Sequence, residues 1–378
     1  MDELRVIKRW IVMKYIIFFE HAERELQNAY LLKSELVRRG HEVYIFNIDY
    51  LHKTKQVLNW IPDVIIVPSL YYNVNYEYFT SVFSHKIAHI VNLQYEQILS
   101  KEWKRIGFHN PRGLAKNAIH LCWGEESQRR IVEHGVKKEN AIIVGSINLD
   151  MDHNKFRNIY KSKEEISCKY NLDINKNWIL FISNFTFNNK SRERLFKIRF
   201  GEESASKYID TCKKTKKIIL EWVEKFINEN DCEFIYRPHP SETPDKKLID
   251  LKNKYENFHI IKEDCVRSWI NVSDKINIWN STCISDIYFM NKDCIILRPL
   301  DNLDGFESDI YLNSIKSKTY EEFRIYNTNL NLEKKFPVDE KQILKFYHIN
   351  KNKFAYERIC YVLERLDLKK IGLSKNKK

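Results

Sequence analysis

Short, largely apolar strand-like segments alternate with helical patterns along this chain, and that alternation restricts the fold more than any other feature. Tyr15–Phe19, His41–Asn47, Asp63–Val67, Lys86–Val91, Ile119–Trp123 and Asn140–Val144 form a first series. Continuous apolar runs of this length are what strands covered on both faces require, and such strands occur in parallel sheets flanked by helices. Between the first two runs, Leu26, Ala29, Leu32 and Leu36 recur at helical spacing and Gly40 marks the stop. A second series follows: Trp178–Ile182, Glu233–Arg237, Phe258–Ile261, Lys275–Trp279 and Cys294–Leu297, expected to be the last strand. A helix is expected over Ala205–Asn228, with Tyr208, Ile209, Cys212, Ile219, Val223 and Phe226 on one face, and another over Gln342–Leu368. Ser183–Asn189 is followed by a charged segment to about residue 204, which is long for a connection in a compact domain and so reads as functional or disordered. Repeated βα units of this kind predict an α/β chain of doubly wound, Rossmann-like parallel sheets.

At 378 residues the chain exceeds one ordinary core. The expected division is an N-terminal domain over 1–150, a polar lysine-rich linker over 151–176, a C-terminal domain over 177–340, and a helix with a basic tail over 341–378. Two α/β halves are expected to face each other across a cleft, a favoured place for ligands. No run of 18 apolar residues occurs, and Met1–Met13 is charged, so neither a membrane span nor a secretory leader is expected. The eight cysteines form no CxxC pair, which argues against structural zinc and suits a reducing cytoplasm. A net charge of +12 admits nucleic acid, an anionic membrane face or phosphorylated substrates as partners. No nucleic-acid recognition signature accompanies the dispersed lysines.

Two strand exits carry candidate chemistry. Tyr236-Arg237-Pro238-His239-Pro240-Ser241-Glu242 follows an apolar strand, and each proline holds the residue before it extended. His239 therefore leaves the sheet on a stiff backbone, where an open α/β sheet places its ligands. An isolated His-Pro would read as a surface turn. Here an arginine, a hydroxyl and a carboxylate join it, which favours an anion site. Asn280-Ser281-Thr282-Cys283-Ile284-Ser285-Asp286 is the second exit; its hydroxyls suit helix capping, phosphate binding, or both. Neither a P-loop nor a GxGxxG motif is present. In the first half, Glu20 and Glu96 each follow an apolar run, whereas Glu23 and Glu25 suit a helix N-terminus and Arg24 an ion pair with either. A transfer to a hydroxyl needs a group to take its proton. Glu96 is the first candidate and Glu20 the second.

The Tyr-Arg-Pro-His-Pro-Ser-Glu stretch, the Asn-Ser-Thr loop and the two-half layout resemble GT-B glycosyltransferases of bacterial surface-carbohydrate assembly. Similar His-Pro and Ser/Thr elements occur in sialyltransferases, capsule Kdo transferases and teichoic-acid glycerophosphate transferases, which use cytidine-nucleotide donors. Glu20 to Glu25 and the Trp123-Gly124, Gly145-Ser146 and Asp150 spacing are similar to surface-carbohydrate proteins as well. The resemblance covers most of residues 14 to 300 and implies a GT-B fold of two Rossmann-like domains facing a cleft. It implies that His239, Ser281 and Thr282 hold the donor phosphate; Arg237 and Asn184 are expected to join them there, and Arg24 to serve the acceptor or support the base. The acidic-acidic-Gly motif of sialyltransferases is replaced by Leu93-Gln94-Tyr95-Glu96-Gln97. The expectation is a cytoplasmic, metal-independent transferase without a cofactor, using a nucleotide-sugar, CMP-linked, and a glycan or lipid-linked acceptor at the anionic inner-membrane face, with no nucleic acid. Glycerol- or ribitol-phosphate transfer, a nucleotide-sugar epimerase, and a non-catalytic basic module are the alternatives, in that order.

Overall fold

A computed structural model of the chain describes residues 12–187, 189–330, 335–350 and 352–366. The basic tail Lys375–Lys378 and most of the charged start lie outside the described residues. The chain forms two compact units that are discontinuous in sequence. One takes in residues up to Gln97, His109–Asp150 and Leu344 onward; the other takes in Ile98–Phe108 and Met151–Ile343.

The first unit holds a six-stranded parallel sheet of β1 (Lys14–Phe19), β2 (Glu42–Asn47), β3 (Val64–Val67), β4 (His89–Asn92), β5 (Ile119–Cys122) and β6 (Ala141–Ile143). Its order is β2-β1-β3-β4-β5-β6, so the winding reverses between β1 and β3. β3 is buried throughout, which is why its sequence is an unbroken run of Val and Ile. β4 starts at His89, later than the apolar run from Lys86 suggests. The unit's C-terminal segment explains the glycine spacing. A β-carbon on Gly124 would lie 2.6 Å from the Phe346 carbonyl oxygen, and one on Gly145 would lie 2.7 Å from that of His348. Both glycines leave room for the returning chain, whose His348 N–H donates to the Trp123 carbonyl at 2.7 Å. That crossing also breaks the expected helix 342–368 into Glu340–Phe346 and Ala355–Leu363. Asp150 accepts the N–H groups of Ala355 and Tyr356 at 2.8 and 2.7 Å, and so anchors the second of these helices.

The second unit holds β7 (Asn177–Ile182), β8 (Cys232–Arg237), β9 (Phe258–Ile260), β10 (Lys275–Ile278), β11 (Ile295–Leu297) and a short edge strand, β12 (Lys316–Ser317), which the apolar pattern does not announce. The order β12-β11-β10-β7-β8-β9 places the reversal between β7 and β10. The segment expected to be a long connection is instead helical over Lys190–Phe200. Asn189 caps it by accepting the Ser191 N–H at 2.9 Å. Phe196 and Phe200 are buried against Phe306 at ring separations of 5.5 and 5.2 Å. Burying each stabilises the unit by about 1.5–3 kcal/mol, enough to fix a helix whose own sequence has little periodicity. The residues of 151–176, polar as read, fold with this unit and include the helix Lys163–Tyr170.

Candidate functional site

At the exit of β8, His239 stands on a turn closed by the Glu242 N–H, which donates to the His239 carbonyl at 2.7 Å. The Ser241 N–H donates to His239 Nδ1 at 3.1 Å. A backbone N–H can only donate, so Nδ1 is the bare nitrogen and the neutral ring carries its proton on Nε2. The turn therefore presents an N–H donor. Glu242, in the turn itself, is not part of an anion site: its side chain is fully buried. It accepts from Ser183 Oγ at 2.6 Å, from Tyr236 Oη at 2.7 Å and from the His239 N–H at 3.3 Å, and pairs with Lys216 at 3.0 Å. Burial, and then the charge of Glu242, push the Tyr236 phenol well above its usual range, so it stays a donor. Arg237 turns to the neighbouring loop, where its guanidinium donates to the carbonyls of Glu263 and Asp264. Its orientation fixes the β9 exit. Arg192, on the helix that the sequence conceals, donates to Ser241 Oγ at 2.6 Å and brings a second cation to the turn.

β7 pairs with both β8 and β10, matching Ile182 with Arg237 and with Ile278, so the exits carrying Asn184, His239 and Ser281 are adjacent. Asn184 Nδ2 donates to the Asn280 carbonyl at 2.6 Å and bridges the two exits at which the winding reverses. Ligands in open α/β sheets favour this crevice. Asn280 has φ +50°, a left-handed conformation that asparagine tolerates better than most residues, and it turns the chain sharply after β10. Neither hydroxyl caps the following helix, Ile284–Phe289; Ser281 Oγ accepts the Cys283 N–H at 3.3 Å instead. Ser281 is buried and Thr282 exposed. Among the described residues, Asn280 Oδ1 and Ser285 Oγ are buried without a hydrogen-bond partner, so this exit retains unspent polar capacity.

In the first unit, Glu20 and Glu96 follow β1 and β4. Glu25 is buried and accepts the N–H groups of Glu20 and His21 at 2.8 and 3.3 Å, closing the turn after β1. Arg24, on a π-helical turn at Ala22–Leu26, donates to Glu25 at 2.8 Å and to Glu96 at 3.1 Å. Glu96 is half exposed and faces a residue that the sequence reading passes over. His109 lies with Nε2 at 3.6 Å from Glu96 Oε2 and Nδ1 at 3.1 Å from the Glu96 carbonyl oxygen. The Glu20 carboxylate has His21 at 3.7 Å. An Asp-x-Asp triplet, Asp150-Met151-Asp152, is also present, but Asp150 anchors the helix Ala355–Leu363 and the buried Asp152 pairs with Arg267. No group of three or more His, Cys, Asp or Glu that could hold a metal converges among the described residues.

Two six-stranded parallel sheets, each wound with helices and each reversing near its centre, define the GT-B class of fold. No family model and no curated protein sequence matches the chain. Solved structures do. The UDP-GlcNAc 2-epimerase of Methanocaldococcus jannaschii matches with a TM-score of 0.58 at 15% identity, covering 93% of this chain and 99% of that one. The UDP-GlcNAc 2-epimerase of Neisseria meningitidis, bound to UDP-GlcNAc, gives 0.55 at 14% identity, with coverage of 93% and 99%. The wall teichoic acid polymerase TagF soaked with CDPG gives 0.53 at 12% identity, covering 93% of this chain and 88% of that one. At these identities the likeness is one of fold.

Proposed function

We propose that this protein is a glycosyltransferase that moves a sugar from a CMP-linked donor to a hydroxyl of a surface-glycan precursor. The observation that carries this reading is the contact of the Ser241 N–H with His239 Nδ1, which sets the tautomer of the neutral ring. The Ser241 N–H occupies Nδ1, which leaves Nε2–H as a donor at an exit adjacent to the reversal of the second sheet. In this reading the donor phosphate lies among His239, Asn184 and the Ser281-Thr282 loop. Negative charge grows on that phosphate as the bond to the sugar breaks, and a preorganised donor stabilises the developing charge more than the ground state. Glu96 takes the acceptor proton, with Arg24 fixing its carboxylate. The half-exposed position of Glu96 suits contact with a large acceptor.

Calorimetric titration with CMP and CDP, and turnover of a panel of CMP-, CDP- and UDP-linked donors, test the reading. His239→Ala should weaken cytidine-nucleotide binding and lower turnover by about 10²–10³-fold. Glu96→Gln should lower turnover by about 10²–10⁴-fold with donor affinity nearly unchanged, because a base acts on the acceptor. Unchanged affinity and turnover in His239→Ala would end the donor-site reading, and retained turnover in Glu96→Gln would end the base assignment. The fold likeness to TagF and to the epimerases supports two further readings, which the products separate. Phosphotransfer releases CMP and leaves a new phosphodiester. Epimerisation leaves the sugar on its nucleotide with one centre inverted.

A further inference from the structure

We propose that His109 and Glu96 act as one proton-sharing pair, in which the imidazole receives the proton that the carboxylate takes from the acceptor. This rests on the reading of Glu96 as the base. The two residues sit where the chain leaves the first unit and where it re-enters, on either side of Ile98–Phe108. His109 is held from three sides. Its ring stacks on Tyr71 with centroids 4.5 Å apart and planes 13° from parallel. Its Nδ1 lies 3.1 Å from the Glu96 carbonyl oxygen, and Arg130 Nη1 donates to the His109 carbonyl at 3.2 Å. Its backbone has φ +54°, uncommon for a residue with a side chain and sustained only where neighbours enforce it.

The carbonyl oxygen can only accept, so Nδ1 carries the proton of the neutral ring and Nε2 is left with a lone pair. That lone pair faces Glu96 Oε2 at 3.6 Å. Two lone pairs at this separation repel, and a single proton between them turns the contact into attraction. The arrangement is the reverse of His239, whose fixed proton makes it a donor. During transfer, the acceptor oxygen bonds to the sugar carbon while the carbon–oxygen bond to the phosphate breaks and its electron pair leaves with the phosphate. The acceptor proton passes to Glu96 and onto Nε2, so the pair ends as imidazolium beside carboxylate and returns its proton to water on product release. An imidazole holds a proton nearer neutrality than a carboxylate does, which makes the pair a stronger acceptor than a carboxylate alone. Arg24, Glu25, Glu20, Tyr71 and Arg130 are the charged and titratable groups around it. Burial, and then the Glu96 carboxylate, hold the Tyr71 phenol above its usual range, so it stacks as a neutral ring.

Nitrogen-15 spectroscopy of histidine-labelled protein, titrated between about pH 5 and 9, tests the pair without a substrate. His109→Asn identifies the resonance. Neutral His109 should show the Nδ1–H tautomer, and Glu96→Gln should lower its titration midpoint by about one pH unit or more. An Nε2–H tautomer, or a midpoint indifferent to Glu96→Gln, would overturn the proposal while leaving Glu96 as a base on its own. In turnover, using the most active donor of the CMP, CDP and UDP panel, His109→Asn keeps an amide donor for the Glu96 carbonyl but has no basic nitrogen. It should lower kcat by about tenfold or more with donor KM unchanged, and should shift the rising limb of the pH profile. An unshifted profile with wild-type kcat would make His109 a tie between the two crossings. Full turnover in Glu96→Gln would remove the catalytic role from both residues.

Discussion

Glu242 shows how one buried carboxylate can shape a strand exit. One buried carboxylate holds the exits of β7 and β8 together through Ser183, Tyr236 and the His239 N–H. Its charge is met by Lys216, which also lies 2.6 Å from Asp245. Glu242→Gln leaves Lys216 with one carboxylate and disturbs three hydrogen bonds, so a loss of about 1–3 kcal/mol in unfolding free energy is expected. Adding Lys216→Met should recover part of that loss, because the buried cation is removed with its partner. Calorimetry on the folded single variant should show cytidine-nucleotide affinity falling as it does in His239→Ala; wild-type affinity would confine Glu242 to stability. The sequence places His239 correctly at a stiff strand exit, since two prolines act locally. It does not reveal that Arg237 faces backbone carbonyls, or that the Glu242 carboxylate is spent inside the unit, because both partners lie on other elements. Lys216 did leave a trace: it interrupts the buried face of the helix Glu202–Glu229 between Cys212 and Ile219.

Among the elements, the buried strands were legible and the conditional ones were not. β1, β3 and β7 are apolar because both faces are covered, so the cause of the pattern is also the cause of the strand. Lys190–Phe200 contributes only two buried aromatics, and its helicity comes from an aromatic cluster supplied by distant segments. The C-terminal helix Ala355–Leu363 is legible as a helix but not as the partner of Asp150. Burial raises the Asp150 carboxyl to about 6, against which the hydrogen bonds from Ala355 and Tyr356 act. A carboxyl raised in the folded state favours the folded form when protonated, so its contribution grows as pH falls through about 6. His120 opposes it. Burial lowers that imidazole to about 4, and its stability is lost as pH falls from its ordinary value through about 4. The two slopes have opposite signs and should largely cancel in the wild type. Asp150→Asn should expose the histidine slope, with the melting temperature falling between about pH 6.5 and 4 more steeply than in the parent. A parallel pair of melting curves would show that Asp150 does not titrate as its burial implies.

For the whole molecule, the charge of +12 is the property least tied to any element. No helix among the described residues is long and apolar enough to cross a membrane. On the proposed reading of a surface-glycan acceptor that is lipid-linked, the protein would work at a bilayer surface, and dispersed lysines can hold it there by attraction to anionic headgroups. Each lysine near such a surface contributes up to about 1 kcal/mol, and screening removes most of the effect beyond about 8–10 Å at physiological salt. The protein should therefore sediment with vesicles containing phosphatidylglycerol, fail to sediment with purely zwitterionic vesicles, and lose its binding as salt is raised. Deleting Lys375–Lys378 should weaken binding, with turnover of a soluble acceptor as the control that separates binding from catalysis. The same experiment separates catalysis from a purely basic binding module. If binding is the whole function, the His239→Ala and Glu96→Gln variants lose nothing while charge reversal of lysines loses everything. Sedimentation indifferent to both lipid charge and salt would remove the membrane surface as a partner, and the positive charge would then have to be explained by the substrates or by composition alone.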